Sequence, residues 1–541
     1  MGNQNLGRRL WLLFSNGRLF GCLIGLALIN WAAEFGEAAS ARETRPNILF
    51  ILTDDQSHRT VGAYPESFPW VRTPHIDRLA AEGIRFAPAW IGTNCIPSRA
   101  SLLTGLHSTG IQSLRPSADP SLPDFDEQGP VFWPRIFREH GYHTAHIGKW
   151  HNSGGTGYGR DWDYQKVWSR LVGGPEFNLN YQSNQLISTN GGEPTLTDGY
   201  STDNYTRWAT EYIRGKHRDP EKPWYLWLCY DAPHGPFLPA KRHRDAYQNV
   251  PVPIPPDIFP PRPGKPAYMQ KVHTWVRGER GIPVMRDSHY EADAVLRRHR
   301  DRQQFPKTYP DWVRLYHRPV RALDEAVGEL LRALEETGQR DNTLVVFTSD
   351  QGLAVGQHGF FDKHAPYEAN LAAPLIASMP GTLPQNAVCD VTVSGVDLIP
   401  TFFRFADIPL PWPMHGRDLT PLLKNPRAHW PHPAMLIYTI GAWGDDTVDI
   451  PDFSAMRLPA RGFRVPWYVT LRQGQYKYIR TLVPQEVEEL YDLSSDPHEL
   501  TNLARNRQHR PRLRELRSAA LDELHRIGAK FVSHLPPVAG N

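Results

Sequence analysis

The 541-residue chain is 40 % apolar and 22 % charged, and its 60 basic against 57 acidic residues leave a formal net charge of +3. This composition excludes a disordered chain, a collagen-like or coiled-coil rod and a disulfide mini-scaffold, and the near balance of charge excludes a global field that recruits nucleic acid or an anionic membrane. The length allows a large catalytic domain with a smaller companion, and 42 Gly with 50 Pro predict long ordered loops.

In chain order, Arg8, Arg9 and Arg18 precede a largely apolar run over 19–33, and Ala39-Ser40-Ala41 offers small residues at a cleavage-site spacing. Residues 1–41 thus read as a secretory signal peptide, with an uncleaved anchor as the alternative. No later segment reaches the ~18 uninterrupted apolar residues that a span needs, so the mature chain is expected not to cross a membrane. Asn47–Thr53 is a buried-strand run that ends abruptly in Asp54-Asp55. Residues 74–82 read as a helix capped by Thr73 and stopped by Gly83; 135–140 closes another helix before a short strand at 144–147. Trp224–Cys229 is a further buried strand. The strongest helix signal covers 318–337, where Val320, Leu323, Val327, Leu330, Leu331 and Leu334 form one stripe ahead of Gly338. A strand over 343–348 ends in Ser349-Asp350. Alternating strands and helices predict an α/β fold, a large mainly parallel sheet sandwiched by helices. Ligands of such sheets sit past the carboxyl ends of the strands.

Two stretches break the pattern: 251–266, dense in Pro, and 286–302, which carries five Arg among His and acidic residues. Beyond about residue 425 the signals change to a hairpin (468–471 and 476–479 around Gly474) and a terminal amphipathic helix over Arg510–Arg526. The expected organisation is therefore a catalytic domain over 42–425 and a smaller α+β subdomain over 426–541.

The chemistry begins with the acids. Asp54, Asp55 and Asp350 at neighbouring strand ends would repel strongly in a low-dielectric pocket. A hard divalent cation held through oxygen relieves that repulsion, so Ca²⁺ or Mg²⁺ is expected. Past the leader the chain has three cysteines, Cys95, Cys229 and Cys389, which cannot all pair. Cys229 ends a buried strand. Cys95 opens Cys95-Ile96-Pro97-Ser98-Arg99, followed by Leu103-Thr104-Gly105. With Ser98 as a helix cap, its sulfur would lie beside a helix N-terminus, where a nucleophile is electrostatically favoured.

Here the sequence resembles the formylglycine-dependent sulfatases of the alkaline-phosphatase-like superfamily, whose hallmark is C-x-P-S-R followed by L-T-G. The likeness runs over roughly 45–505. It includes Arg45-Pro46-Asn47, Thr73-Pro74-His75-Ile76-Asp77, Gly148-Lys149-Trp150-His151 and Pro233-His234. It continues through Ser349-Asp350-Gln351-Gly352, Gly356-Gln357-His358-Gly359, Asp362-Lys363-His364 and Glu489-Leu490-Tyr491-Asp492-Leu493. Two positions depart from the pattern: Gln351 stands where Asn or His is usual, one methylene further out than Asn, and Leu106 replaces the common Arg after L-T-G.

The resemblance implies an exported sulfuric-ester hydrolase, periplasmic or extracellular. Its Cys95 is oxidised by a dedicated maturation enzyme to formylglycine, the hydrate of which attacks sulfur. It implies a metal held by Asp54, Asp55, Asp350 and Gln351. Arg99, Lys149 and Lys363 neutralise the sulfate oxygens, His234 is the leaving-group acid and His151 the base that regenerates the aldehyde. His358 and His364 stand behind them. The same residues leave open a phosphodiesterase or phosphonate monoester hydrolase, and a non-catalytic sulfated-glycan-binding protein that keeps the thiol. The loops 152–202, 239–310 and 441–466 are expected to set specificity. Their Trp162, Trp168, Tyr181, Trp275 and Trp443 suit either stacking on the rings of a sulfated carbohydrate or ordinary packing.

Overall fold

The computed structural model describes residues 45–111, 132–152, 155–169, 181–286, 305–453 and 465–539. The expected signal peptide and the Arg-rich segment after Arg286 lie outside the described residues. Among those described, no helix is long and apolar enough to cross a membrane.

The main sheet has ten strands: β1 (Asn47–Thr53), β2 (Ile84–Phe86), β3 (His143–Lys149), β4 (Tyr164–Trp168), β5 (Ser183–Thr189), β6 (Thr195–Tyr200), β7 (Trp224–Cys229), β8 (Thr343–Ser349), β9 (Leu375–Ser378) and β10 (Ala387–Cys389). Their spatial order is β10-β2-β9-β8-β1-β7-β3-β4-β5-β6. The five central strands β8, β1, β7, β3 and β4 run parallel, while β9 on one side and β5 on the other run antiparallel to them, and β6 pairs antiparallel with β5. The expectation of a mainly parallel sheet thus holds at the centre.

Both faces of β1 are buried because both are covered by helices, which explains why it reads as an unbroken apolar run. Ile48, Phe50 and Leu52 face one core with α2 (Cys95–Thr104), α3 (Pro134–Glu139) and α6 (Leu398–Phe405). Leu49 and Ile51 face the other with α1 (Pro74–Ala81), α4 (Ser201–Ile213) and α5 (Tyr309–Glu336). Helix α5 begins nine residues before the apolar stripe predicts. Thr308 caps it by accepting from the Asp311 amide, Pro310 sits in its first turn, and Pro319 is accommodated inside it. Thr73 precedes α1 as expected but makes no cap bond; its hydroxyl accepts from the Gly62 amide instead.

The C-terminal part holds an antiparallel sheet of β11 (Ala434–Tyr438), β12 (Tyr468–Gln473), β13 (Tyr476–Thr481) and β14 (Glu488–Asp492), covered by α7 (Arg510–Arg526). The hairpin β12–β13 turns at Gly474, whose φ of +59° is the left-handed region that glycine favours. Fully buried Lys477 of β13 lies between Glu368 (3.0 Å) and Glu499 (2.8 Å), and Glu368 also accepts from the Trp90 indole (3.0 Å). This compensated charge cluster joins the small sheet to the segments that follow β2 and β8.

Candidate active site

In the register of the central strands, Thr53 of β1 lies opposite Ser349 of β8, and Leu52 opposite Cys229 of β7. Gly148 of β3 lies opposite the same Cys229. The segments carrying Asp54-Asp55, Asp350-Gln351, Lys149 and His234 therefore all leave the sheet at its carboxyl edge. Gly148 is required here: at φ +106° a Cβ would stand 2.0 Å from the Cys229 carbonyl oxygen. Asp55 itself has φ +60°, a left-handed conformation that Asp tolerates better than most residues. Its amide donates to Asp350 Oδ1 (3.1 Å), which locks the two strand ends together.

Helix α2 delivers Cys95 to this edge. The cap is Asn94, whose side chain accepts from the Cys95 amide (2.9 Å), rather than Ser98 as the sequence suggested. Ser98 lies inside the first turn and donates back to the Asn94 carbonyl (2.7 Å), so it cannot serve as the cap. Cys95 Sγ lies 3.2 Å from Asp54 Oδ1, 3.3 Å from Gln351 Nε2 and 2.8 Å from Lys363 Nζ. One turn along, Arg99 donates to Asp350 Oδ2 (3.1 Å) and to the Lys149 carbonyl (3.1 Å). Lys149 pairs with Asp54 Oδ2, and Lys363 spans both Asp55 oxygens (2.8 and 3.1 Å). His234 Nε2 is 3.6 Å from Asp55 Oδ2, its ring oriented through Nδ1 on the Gly235 carbonyl (2.7 Å). These bonds link nine of the ten residues that the sequence assigns to the site, directly or in relay. His151, the tenth, stands two positions past Lys149, half-buried at φ +59°.

Three carboxylates face three cations in this pocket. Burial resists ionisation of Asp54, but Lys149 and the neighbouring cations outweigh it and hold the carboxyl well below its usual range. At Asp350 burial and the charge of Asp54 win over Arg99 and push the carboxyl up to about 7. Burial and Asp54 likewise raise the Cys95 thiol, against the pull of Lys363. Burial and the surrounding acids thus outweigh the helix N-terminus at the unmodified thiol, and a thiol held in its protonated form is a poor nucleophile. Burial lowers His234 to about 4 in spite of Asp54 and Asp55.

Ligand atoms of Asp54, Asp55, Cys95 and His234 lie within 4.8 Å of one another, a grouping that could hold a metal ion. Two of these donors are the carboxylates that a hard divalent cation prefers, while the sulfur and the imidazole are softer; Asp350, bonded to the Asp55 amide, and the Gln351 amide stand beside the carboxylates and would complete an oxygen set. The amide now turns its nitrogen to Asp55 and Cys95 and accepts at Oε1 from Ser98 (3.2 Å). Rotating the amide by half a turn would present its oxygen to the same carboxylate, an arrangement that a cation between them makes favourable.

Two further groups support the site without a sequence signal. Tyr181 stacks flat on the His234 imidazole (centroids 4.2 Å apart, planes at 4°), with Lys149 Nζ 5.1 Å above the same tyrosine ring. Asp231, wholly buried, accepts from Ser201 (2.8 Å) and Gln185 (2.6 Å) just before the His234 turn. The sugar-stacking option for Trp162, Trp168, Tyr181, Trp275 and Trp443 fails, since all five are buried in packing. His358 is held by Asp257 (Nδ1 to Oδ2, 2.5 Å) over Tyr367, and His364 lies 3.8 Å from Asp362.

The family model of the sulfatases matches residues 46–408. The chain is 28 % identical over 514 residues to an N-acetylglucosamine-6-O-sulfatase of Bacteroides thetaiotaomicron, covering 87 % of this chain and 85 % of that protein. A structure solved in complex with its substrate D-glucosamine-2-N,6-O-disulfate is similar with a TM-score of 0.72 at 26 % identity, over 90 % of this chain and 98 % of that one. A phosphonate monoester hydrolase of Agrobacterium radiobacter shares the fold, with a TM-score of 0.62 at 20 % identity over 89 % and 96 % of the two chains.

Proposed function

The chain belongs to the sulfatase family, and from that premise we propose that this sulfatase is exported and removes sulfate from a sulfated carbohydrate, using Cys95 after its oxidation to formylglycine. The observation that carries this reading is the position of Cys95. Its Sγ stands 2.8 Å from Lys363 Nζ and 3.2 Å from Asp54, at the head of α2. Asp54, Asp55, Asp350 and Gln351 would hold Ca²⁺ or Mg²⁺, which when bound supplies Lewis-acid polarisation and cancels carboxylate repulsion. With that charge added, three carboxylates against Arg99, Lys149 and Lys363 leave the pocket positive, as an anionic ester requires.

The residues of the chain then divide the work. Arg99, Lys149 and Lys363 take up charge on the sulfate oxygens. Residue 95, once oxidised and hydrated, would supply the oxygen that attacks sulfur, and His234 would give the departing sugar alcohol its proton once the bound anionic ester has raised the imidazole against the burial that lowers it. His151 would act as the base that takes a proton from residue 95 so that sulfate is released and the aldehyde restored. The relatives that act on glucosamine 6-sulfates make such a sugar the first substrate to test.

Mass spectrometry of the peptide containing Cys95 tests the nucleophile. We expect a loss of roughly 18 Da relative to the thiol, from replacing CH₂SH by CHO; an unaltered thiol in an active preparation would refute the formylglycine nucleophile, and an unaltered thiol in a preparation inactive on every ester would favour a glycan-binding protein. The fold shared with a phosphonate monoester hydrolase makes a phosphodiester the right comparison substrate, and faster turnover of the phosphodiester than of every sulfate ester would reverse the assignment. His234→Asn should lower kcat for a sugar sulfate by about 10²–10³-fold while an aryl sulfate, whose leaving group needs no proton, loses far less. Equal losses on both substrates would remove His234 from the role of acid.

A further inference from the structure

We propose that the cleft flanking His234 binds an anionic group, a uronate carboxylate or a second sulfate, on the sugar next to the one that carries the scissile sulfate. The inference rests on the reading above and deepens it. The enzyme would prefer a polyanionic oligosaccharide to a free sulfated monosaccharide.

The cleft measures about 1030 Å³ and lies between β5 and β6, the turn over 238–244 and helix α5. This is the upper end of the size range of small-molecule sites, about 300–1000 Å³. Leu238, Phe305 and Leu315 give it apolar walls, while Lys241, Arg242, Arg244 and Arg318 face it with a single acid, Asp203, among the described residues that line it. Arg242 is already committed, to Asp203 (2.8 Å) and Glu325 (2.7 Å). Arg318 donates through Nε to the Ala246 carbonyl (2.9 Å) and feels Asp245 and Asp311, which offset part of its charge. Lys241 and Arg244 are exposed and make no ion pair among the described residues.

Isolated surface cations are ordinarily just solvated; concavity and place distinguish these. Low-dielectric walls focus an uncompensated field, and this cleft is built against the catalytic turn. Gln182, one of its inner residues, donates to the His234 carbonyl (2.9 Å), and Tyr200, another, donates to the Leu238 carbonyl (3.0 Å). His234 protonates the departing alcohol in the proposed reaction, so the rest of the glycan must extend on its side. The cleft that carries Lys241 and Arg244 is joined to that turn through Gln182.

The test compares the wild type with the Lys241→Gln, Arg244→Gln double variant, two exposed positions whose loss should leave the fold unchanged. Substrates are sulfated monosaccharides, including glucosamine 6-sulfate, and heparan- and chondroitin-derived oligosaccharides that end in the same sugars. Each oligosaccharide is supplied in native, carboxyl-reduced and singly sulfated forms. We expect kcat/KM to be at least tenfold higher for one native oligosaccharide than for its monosaccharide, to fall with added salt, and to drop about tenfold in the double variant with the monosaccharide rate unchanged. Loss of the advantage on carboxyl reduction identifies a uronate; loss on removal of the second sulfate identifies a sulfate. If no oligosaccharide outperforms its monosaccharide, or the advantage survives in the double variant, the cleft assignment is overturned. Absence of sulfate release from every substrate, monosaccharides included, overturns instead the functional reading on which it rests.

Discussion

Cys95→Ala is expected to reduce sulfate-ester turnover to less than about one part in 10⁴ while leaving a folded protein, because deleting a covalent nucleophile removes the reaction path rather than one stabilising contact. Cys95 is buried and in contact with Lys363, Gln351 and Asp54. Some loss of stability therefore accompanies the change, at most about 1–2 kcal/mol for so small a truncation. Thermal unfolding and activity measured on the same preparation separate the two effects. Cys95→Ser restores the size of the side chain, so it should unfold with the wild type yet stay inactive when made in cells whose maturation enzyme oxidises only thiols. Substantial turnover by Cys95→Ala would eliminate the covalent mechanism. A Cys95→Ala protein that fails to fold would shift the decision to the mass of the wild-type peptide, since the two measurements are independent.

The meeting of the acids was legible in the sequence because each interrupts a strong local pattern. Asp54-Asp55 cuts off a seven-residue apolar strand, Ser349-Asp350 ends a second, and parallel pairing in register brings the two ends together without any further information. What was not legible depends on distant partners. The N-terminal nine residues of α5 were hidden because Pro319 looks like a start, whereas the true start is the Thr308 cap. Ser98 looked like a cap because its residue type favours one; the competing bond to the Asn94 carbonyl decides otherwise. Tyr181 and the buried Trp residues share one composition in loops that could face sugar or core, and only the packing distinguishes these. The stack of Tyr181 on His234 and the support of Asp231 by Ser201 and Gln185 join residues that are 53, 30 and 46 positions apart. No local periodicity encodes such pairs. The cations of the His234 cleft carry no local signal either, since only the fold shows that Asp203 and Glu325 pair with Arg242, and Glu325 with His243, while Lys241 and Arg244 make no ion pair among the described residues.

Asp54→Asn should sharply weaken binding of a divalent cation and abolish activity, because it removes one ligand charge while keeping the shape of the side chain. It also strips fully buried Lys149 of its carboxylate partner, so the metal-free variant should be less stable than the metal-free wild type; breaking a buried pair by removing one member costs about 3–5 kcal/mol. The wild type supplies the cleaner measurement. Exhaustive chelation should lower its Tm, by the linkage of binding to the folded state, which is about 2.7 kcal/mol at a free concentration of 100 times Kd. Ca²⁺ or Mg²⁺ should restore both Tm and turnover. The pH dependence has a defined sign. Burial and Asp54 raise Asp350 from its ordinary value to about 7, so the metal-free folded state retains a proton that the unfolded chain has already lost, and this contribution to stability falls as pH rises from about 4 to 7. A cation must displace that proton to use the carboxylate. The rise in Tm on adding metal should therefore be larger at pH 8 than at pH 5, and binding at pH 5 should release a proton detectable by calorimetry in buffers of different ionisation enthalpy. A chelated protein, metal-free by elemental analysis, that hydrolyses sulfate esters at the wild-type rate would leave Asp54, Asp55 and Asp350 as partners of Lys149, Lys363 and Arg99 alone.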